Sequence, residues 1–362
     1  MRINNQSGFD VATMLWEDLQ GQAKLSVIVK ATFGISAETG ASLAERQLPI
    51  LIGDEHYGKD LTSSVRLESD MVPLKPHCDV VLVGHAYPPG GRPVKELDVS
   101  LRVATMEKTI RVFGNRHWLY PSTLAPAPVF SSPEPFTGMN LVYERSYGGI
   151  DAISASFCRE NLVGRGHIGS KSVDSIHGKP LPNIEDPKNL IRSWDSRPRP
   201  VGFGFFGRGW APRVVYAGTY DEKYRKERAP LLPEDFSYAI FNGAHPDLQV
   251  KGYLRGDEEV ELVNLSRKPT LRFQLSGMIP KITVKKWAVS PEEWVEANSS
   301  EDNLATLDQV PILEEVVKAS LDTLVFLPDE EIFYEVFRGV VSLNTLERPE
   351  VAEIGISSQA VQ

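Results

Sequence analysis

Two glycine-rich stretches have the spacing of a dinucleotide-binding loop. The pattern G-x-G-x-x-G occurs at Gly164, Gly166 and Gly169 and again at Gly202, Gly204 and Gly207. Such a loop binds pyrophosphate only where a strand precedes it and a helix follows it, because helix amides hold the phosphates. The second stretch runs into Trp210-Ala211-Pro212, and the first runs into residues without helical periodicity. Both patterns therefore favour turn glycines in packed loops, and we expect no nucleotide cofactor.

The residues that could bind a metal or act as a nucleophile lack the spacing that those chemistries need. His77, Cys78 and His85 lie close in sequence, and Cys158 and His167 could join them, but no pair has the spacing of a tetrahedral zinc site. No G-x-S-x-G nucleophile elbow is present. Adjacent acids, as at residues 221–222 and 234–235, are more typical of capping or solvated carboxylates than of a glycosidase pair. We expect no metal, no cofactor and no catalytic residue.

A group of arginines and aromatic residues between positions 192 and 213 has the composition of a protein interface. Arginine and large aromatic residues are the types enriched at binding hot spots. An alternative interpretation stays open, in which the aromatic residues form core and the arginines bridge local carboxylates. If the interface interpretation holds, we expect the partner to contact Arg197, Arg199, Phe205, Arg208, Trp210 and Arg213.

Composition restricts the class of protein. The 362 residues are 41% hydrophobic and 24% charged, with a net charge of −9 and a pI of about 5.4. A mildly acidic chain repels phosphate backbones, so we expect no nucleic-acid partner. The start of the sequence has no apolar signal region, no apolar run approaches the roughly 18 residues of a membrane span, and there are two cysteines. We therefore expect a cytoplasmic protein that does not contact the membrane.

Strand patterns dominate the chain at both ends. Apolar residues alternate with polar ones, or run continuously between turns, in segments such as 25–33, 79–86, 96–104, 248–254, 260–265, 270–275, 281–288, 317–327 and 332–343. Helical signals are few, with short candidates at 221–228 and 291–297. The sequence predicts a mainly β fold, a β-rich α+β class, with two sheet-based lobes joined by an irregular middle rich in Pro, Gly and Arg.

The same patterns predict a division of the chain. We expect an N-terminal β-rich lobe over 1–120, an irregular middle over 121–247, a C-terminal β-rich lobe over 248–345 and a flexible tail over 346–362. Residues 287–317 contain eight acids and no Lys or Arg. A solvated connector is the simpler interpretation of this acidic segment, and an acidic docking strip is the alternative.

Ordered motifs in the middle resemble those of a known bacterial family. Tyr143-Glu144-Arg145-Ser146-Tyr147-Gly148-Gly149 resembles its tyrosine–glutamate and glycine–glycine signature, and residues 161–166 and 181–185 resemble two further elements. Residues 200–204, 210–213, 217–222, 228–233 and 235–236 follow in the family's order, and 321–324 and 337–339 resemble elements near its end. The family was first described only as a domain of unknown function, and its members occur with type VI secretion components.

The resemblance implies a function that composition alone does not. It implies a non-enzymatic adaptor or chaperone that binds an effector toxin, through a PAAR-like or N-terminal docking region, and promotes its loading onto the VgrG spike, which it contacts directly or indirectly. Two alternatives remain, a structural protein associated with the spike or baseplate and a β-rich hydrolase. The cargo, the stoichiometry and the binding surface are not encoded in the motifs.

The motif residues themselves carry a structural expectation. Charged and capping side chains in loop-rich segments need partners where they are buried. We therefore expect the motif residues to cluster and to fasten the irregular middle to the sheets: Tyr143, Glu144, Arg145, Gly148, Gly149, Asn161, Gly164, Gly166, Thr219, Tyr220 and Asp221, together with Trp210 and Arg213 of the predicted interface.

Overall fold

The computed structural model describes residues 1–36, 40–59, 62–120, 127–300, 304–343 and 351–361. The first strands in chain order are β1 (Arg2–Asn5), β2 (Asp10–Glu17), β3 (Ala23–Ser36), β4 (Gly40–Leu43), β5 (Glu55–His56), β6 (Val65–Leu67), β7 (His77–Leu82), β8 (His85–Ala86), β9 (Glu96–Val103), β10 (Met106–Phe113), β11 (Trp118–Leu119), β12 (Val129–Phe130) and β13 (Met139–Asn140). They are followed by β14 (Tyr147–Gly148), β15 (Ile150–Asp151), β16 (Ser156–Phe157), β17 (Arg165–Gly166), β18 (Ile184–Glu185), β19 (Gln249–Lys251), β20 (Glu259–Val263), β21 (Thr270–Gln274), β22 (Met278–Trp287), β23 (Ile312–Val317), β24 (Ser320–Leu327), β25 (Ile332–Ser342) and β26 (Val351–Ala360).

Helices are short and few. The α-helices are α1 (Val173–Ile176), α2 (Ala211–Val214), α3 (Glu222–Glu227) and α4 (Pro291–Asn298), and single 3₁₀ turns occur at Pro89–Gly91, Tyr143–Arg145, Tyr238–Phe241, Pro246–Leu248, Leu307–Gln309 and Pro328–Glu330. Strand accounts for 41% of the structure and helix for 12%, so the predicted mainly β fold is confirmed. None of the helices in the described ranges has the length and apolar character needed to cross a membrane.

The largest sheet has seven strands, and its central strands come from both ends of the chain. Its order is β19-β7-β24-β25-β3-β2, with β4 paired to β3. Only the β7–β24 pair is parallel. Strands β24 and β25 are buried along most of their length, which matches their apolar composition on both faces, as expected of strands covered on both sides.

A five-stranded sheet covers one face of this large sheet. Its order is β18-β10-β9-β20-β21, and strands such as β9 alternate between buried and exposed residues. The ring of Phe273 on β21 lies 5.6 Å from that of Phe333 and 6.0 Å from that of Phe326. The aromatic core therefore lies between the two sheets.

The other face of the seven-stranded sheet carries buried ion pairs. Side chains alternate between faces along a strand, so Lys30 and Arg338 lie opposite the Phe333 side. Lys30 pairs with Asp70 at 2.8 Å, Lys75 with Asp79 at 2.8 Å, and Arg338 with Asp322 at 2.6 Å. The irregular segments before β7 and after β18 lie over this face and satisfy these charges.

The third sheet brings the two ends of the chain together. Its order is β1-β26-β22-β23, with β26 parallel to β1 and antiparallel to β22. Val351, Ile354 and Ile356 of β26 are buried. Most of the segment expected to be a flexible tail is therefore a paired strand, because β1 and β22 supply hydrogen-bonding partners that its composition does not reveal.

The expected division into N- and C-terminal lobes also differs from the sheet topology. The seven-stranded sheet contains β2, β3 and β7 from the first part of the chain and β19, β24 and β25 from the last. The five-stranded sheet likewise joins β9 and β10 to β20 and β21. The sheets thus interleave both ends of the chain. The predicted boundary at 121 and the start of the predicted tail, 346–350, lie outside the described residues.

Candidate partner-binding surface

Asn161 holds residues 143–149, which we call the first motif, in place by hydrogen bonds. Its buried Nδ2 donates to the carbonyl oxygen of Tyr143 at 2.8 Å and to that of Tyr147 at 3.0 Å. The neighbouring strands β14 and β17 pair in parallel. Because a side-chain amide satisfies two main-chain carbonyls here, an irregular loop can be buried without unpaired backbone groups.

The motif glycines are explained by close backbone contacts. A Cβ at Gly148 would lie 2.3 Å from the carbonyl oxygen of Asn161, and one at Gly164 would lie 2.4 Å from Asn161 Nδ2. Gly149 has φ of +90°, and its Cβ would lie 2.2 Å from the Gly164 carbonyl oxygen. Gly166 has φ of +92° and abuts Pro182. At these four positions the scaffold is too closely packed for a side chain.

Glu144 and Arg145 connect this scaffold to distant parts of the chain. The Glu144 carboxylate accepts hydrogen bonds from the backbone N–H and the hydroxyl of Ser64, both at 2.7 Å. Arg145 Nη1 donates to Asn183 Oδ1 at 3.2 Å. Asn183 in turn donates to the carbonyl of Phe113 on β10. The first motif therefore fastens the middle to the sheets.

The aromatic residues of the predicted interface lie in the core. Phe205 is 1% exposed and Trp210 7% exposed. The Tyr143 ring stacks on Phe206 at 4.7 Å and meets Trp210 edge-on at 5.5 Å. This burial corrects the expectation that Phe205 and Trp210 contact a partner, since the sequence shows residue type but not which side chains the loop turns inward.

Arg213 is also buried, and its partners are within the chain. Its guanidinium lies 2.6 Å from Glu68 and donates to the carbonyl oxygens of Phe206 and Ile240. Arg208 is half-buried and bridges Glu68 and Asp54 at 3.1 and 3.2 Å. The expected role of Arg213 in binding is corrected in the same way, and Arg208 is largely engaged in the buried Glu68 cluster.

Arg197 and Arg199 are the exposed members of the predicted interface. Arg197 Nη1 donates to the carbonyls of Trp194 and Ser196 at 3.2 and 3.0 Å. Of the six residues predicted to bind, only Arg197 and Arg199 therefore lie exposed on the surface.

The second group of motif residues lies in a separate surface cleft. Asp235 accepts hydrogen bonds from the backbone N–H of Thr219 at 2.9 Å and from its hydroxyl at 2.7 Å. Asp221 caps α3 by accepting from the Tyr224 N–H at 2.8 Å. The cleft has a volume of about 220 Å³ and is lined by Thr219, Asp221, Lys223, Tyr224, Glu227, Arg228, Pro233, Glu234 and Asp235. Thr219 and Asp221 thus make their hydrogen bonds locally, apart from Asn161.

The cleft carries an excess of negative charge. Four acids and two bases line it, a net charge of −2. The hydrogen bonds from the Thr219 hydroxyl and N–H lower the pKa of Asp235 below its usual value, so this carboxylate stays ionised. A general acid needs a raised pKa instead. The ionised Asp235 and the net negative charge of the lining suit binding of a cationic group.

Exposed apolar side chains occur at residues 214–220, the segment that leads into the cleft. Val215 is 68% exposed and Tyr220 50% exposed, and Val214 and Tyr216 are exposed as well. The Tyr220 ring contacts that of Tyr224 at 4.8 Å, and the Tyr216 carbonyl accepts from the Ser237 N–H. We call the cleft and these four residues the 214–235 surface. Sequence reasoning missed its apolar part, although the run Val214-Val215-Tyr216 is a visible signal.

Close to the first motif, a serine and a histidine lie within hydrogen-bonding distance of each other. Ser156 Oγ is 3.0 Å from His167 Nε2, and His167 Nδ1 is 3.2 Å from the Tyr147 hydroxyl. Ser156 Oγ also packs over Gly169, where a Cβ would come within 2.0 Å. The pair therefore stabilises the hairpin of β15 and β16. The 214–235 surface is the better candidate for contact with another molecule.

Comparison with known proteins identifies a matching family model but no matching individual protein. No curated protein and no solved structure matches the chain. A family model described as "Uncharacterized protein conserved in bacteria (DUF2169)" matches residues 20–338. That range includes the scaffold around Asn161, the cleft and most strands of the two larger sheets. Because the match spans most of the 362 residues, the chain belongs to this conserved bacterial family.

Proposed function

We propose that the protein is a non-enzymatic adaptor or chaperone for a type VI secretion effector, which it binds by a PAAR-like or N-terminal region and helps to load onto the VgrG spike. The type VI assignment rests on the motif resemblance. The observation that carries the binding role is the 214–235 surface, where four exposed apolar side chains occur in the segment that leads into an acid-lined cleft. Exposed apolar groups beside charged ones are typical of protein interaction sites.

The surface has the chemistry for reversible contact with a folded or partly folded client. Val215 and Tyr220 supply apolar contact area, and Glu227 and Glu234 supply charges that a basic client residue can approach. The cleft is fixed before binding, because Asp221 caps α3 and Thr219 is bonded to Asp235. A fixed surface reduces the ordering cost of association.

Co-expression with a PAAR-containing effector encoded beside this gene tests the proposal. We expect the effector to be captured with the protein and to be more soluble in its presence. The double change Val215→Ser and Tyr220→Ala should weaken capture at least tenfold while leaving the melting temperature unchanged, since both side chains are exposed. Ile52→Ser is the control, because Ile52 is also exposed and is not among the residues that line the cleft.

The outcome also separates the adaptor from the structural alternative. An adaptor should be absent from the assembled spike after the effector is loaded, whereas a structural component should remain with VgrG. If no effector or VgrG protein is captured by the parent chain, the type VI assignment is wrong. If the parent captures the effector and the double variant captures it equally well, the adaptor role holds, but the effector binds at a surface other than 214–235.

A further inference from the structure

Strand β23 forms an open edge of the four-stranded sheet. It pairs with β22 on one side only, and five of its six residues are exposed. In the described ranges, none of its backbone groups hydrogen-bonds outside that ladder. An edge of this kind presents a row of free N–H and C=O groups that can pair with another strand.

The edge has only part of the protection that usually prevents such pairing. Natural edge strands carry charged residues, Pro or a bulge, whereas β23 has the sequence Ile-Leu-Glu-Glu-Val-Val, with neither Pro nor Lys and in register with β22 throughout, so that its only protection is negative charge. Leu313 is 64% exposed and Val316 66% exposed, and Ile312 is exposed as well. Val289, Leu304 and Leu307, which precede the strand in the chain, are exposed as well. The strand therefore has both the backbone and the side chains to accept an additional strand.

The charge on this edge is negative and only partly neutralised. Glu315 pairs with Lys286 at 3.1 Å. Glu314 lies opposite Lys285 in the ladder, but the Lys285 ammonium is bonded to Glu353 at 2.8 Å. Opposite charges on neighbouring strands stabilise pairing, and like charges directly opposite oppose it. Glu314 is thus available to a cationic residue on an incoming strand.

The same charges disfavour a second copy of this chain as the occupant. Antiparallel pairing of two β23 strands about their centre would place Glu314 and Glu315 of one copy against the same residues of the other. The chain also carries a net charge of −9. A basic partner avoids this repulsion.

We propose that β23 is the docking edge for an extended segment of another protein, which adds a fifth strand to this sheet. Ile312, Glu314 and Val316 project on one face of β23, since side chains alternate. The incoming segment should therefore carry an apolar residue, a Lys or Arg two positions later, and an apolar residue two positions after that. This order of residue types is the same whether the incoming segment pairs parallel or antiparallel to β23. The proposal is independent of the 214–235 surface and of the type VI assignment.

A pair of synthetic peptides tests the proposal on the full-length protein. The probe is acetyl-Thr-Val-Thr-Lys-Thr-Val-Thr-amide, and the comparison peptide has Glu in place of Lys. We expect the Lys peptide to bind at millimolar concentration or below, and the Glu peptide to bind about tenfold more weakly at low salt. Hydrogen exchange should show that the Lys peptide protects those amides of residues 312–317 that point away from β22.

A charge reversal with a matched control locates the contact. Glu314→Lys should bind the Glu peptide more tightly than the Lys peptide. Glu296→Lys makes the same charge change on an exposed position of α4, and it should keep the preference of the parent. If Glu314→Lys fails to fold, the two peptides and the exchange pattern on the parent chain still test the proposal.

Several results would overturn the proposal. The proposal is wrong if the parent does not bind the Lys peptide, or if the peptide protects only amides outside residues 312–317. It is also wrong if Glu296→Lys and Glu314→Lys change the peptide preference equally. A parent chain that is dimeric, with β23 already protected without peptide, would make a second copy the occupant and contradict the charge argument.

Discussion

Asn161 is a single residue on which a buried loop depends. Its amide satisfies the carbonyls of Tyr143 and Tyr147, and two of the motif glycines, Gly148 and Gly164, approach it closely. A shorter side chain would leave both carbonyls buried without a donor, and an unsatisfied buried group costs about 1–3 kcal/mol.

We therefore expect Asn161→Ala to lower the free energy of unfolding by about 2 kcal/mol or more. Urea unfolding followed by circular dichroism measures the change. Asn298→Ala is the control, because the Asn298 side chain bonds an exposed carbonyl at the end of α4. Equal, small effects of the two changes would show that the scaffold does not depend on Asn161.

Glu335 is a buried acid with no hydrogen-bonding partner among the residues that the structure describes. Both of its carboxylate oxygens lack hydrogen bonds there, and it projects on the Phe333 face of β25, toward the aromatic core. Burial raises the pKa of Glu335 well above its ordinary value, and the Glu258 carboxylate raises it further. The folded chain therefore holds this proton at a pH where the unfolded chain, with a pKa of about 4.3, has lost it.

The pH dependence follows from that difference. As pH rises from about 4.3 toward the raised folded pKa, the folded state binds more protons than the unfolded state, so Glu335 progressively destabilises the fold. Glu335→Leu should remove this contribution and raise the free energy of unfolding at pH 8 by about 2 kcal/mol, with a smaller gain at pH 5. Urea titrations at both pH values measure it. A gain that is the same at pH 5 and pH 8 would contradict the argument.

At this scale the sequence predicted residue types better than positions. The order of the motifs pointed to Asn161 and the motif glycines as one group, and the structure brings them together. It could not show that Phe205, Trp210 and Arg213 turn inward while Val215 and Tyr220 turn outward. The irregular middle has no periodicity from which an inner and an outer face can be read.

At the scale of elements, α3 shows how a short helix can shape a surface. The helix has six residues, too few to be stable without tertiary support or capping. Asp221 supplies the cap at its start, and Tyr224 and Glu227 of the helix line the cleft. Loss of the cap should therefore disturb the cleft before it disturbs the sheets.

We expect Asp221→Ala to destabilise α3 locally by about 1 kcal/mol. Hydrogen exchange of residues 222–227 should accelerate by about fivefold, while the strands of the large sheet keep their protection. Glu222→Ala is the control, since its ion pair with Lys226 is exposed and contributes little. Acceleration across β24 and β25 as well would show that the cleft is coupled to the core.

Strand positions were the part of the fold that the sequence predicted best. The expected strands at 25–33, 96–104, 260–265 and 332–343 correspond to β3, β9, β20 and β25, because alternation or continuous β-branched residues mark them. Other strands were missed, and β23 and β26 are two of them. β23 lies in the acidic segment expected to be a connector, and β26 lies in the expected tail. Both are strands because β22 lies between them and supplies hydrogen bonds to each.

At the scale of the whole molecule, the sheets depend on both ends of the chain. β26 lies between β1 and β22 and pairs with the part of β22 that contains Ile282 and Val284, which are fully buried. Removal of β26 would separate β1 from the sheet and expose apolar residues of β22.

A chain ending at Leu343 should therefore be mostly insoluble, and its soluble fraction should melt well below the parent in a thermal denaturation experiment. Covering a buried aliphatic side chain contributes roughly 1.5–3 kcal/mol, so several such losses exceed typical domain stability. A chain ending at Ala360 retains β26 and is the control. Equal solubility and melting of both truncated chains would show that the C-terminal strand is dispensable.

The interleaved order of the seven-stranded sheet also has a consequence during synthesis on the ribosome. β3 and β7 are not neighbours, because β24 and β25 must be inserted between them, and these two strands are translated long after β7. At roughly 5–20 residues per second, the early strands wait on the order of 15–60 s before their partners emerge. Throughout that interval β3 and β7 of the nascent chain lack the two apolar strands that lie between them in the finished sheet. Production of the protein should therefore depend on ribosome-associated folding factors more strongly than for a chain whose sheets close in the order of translation.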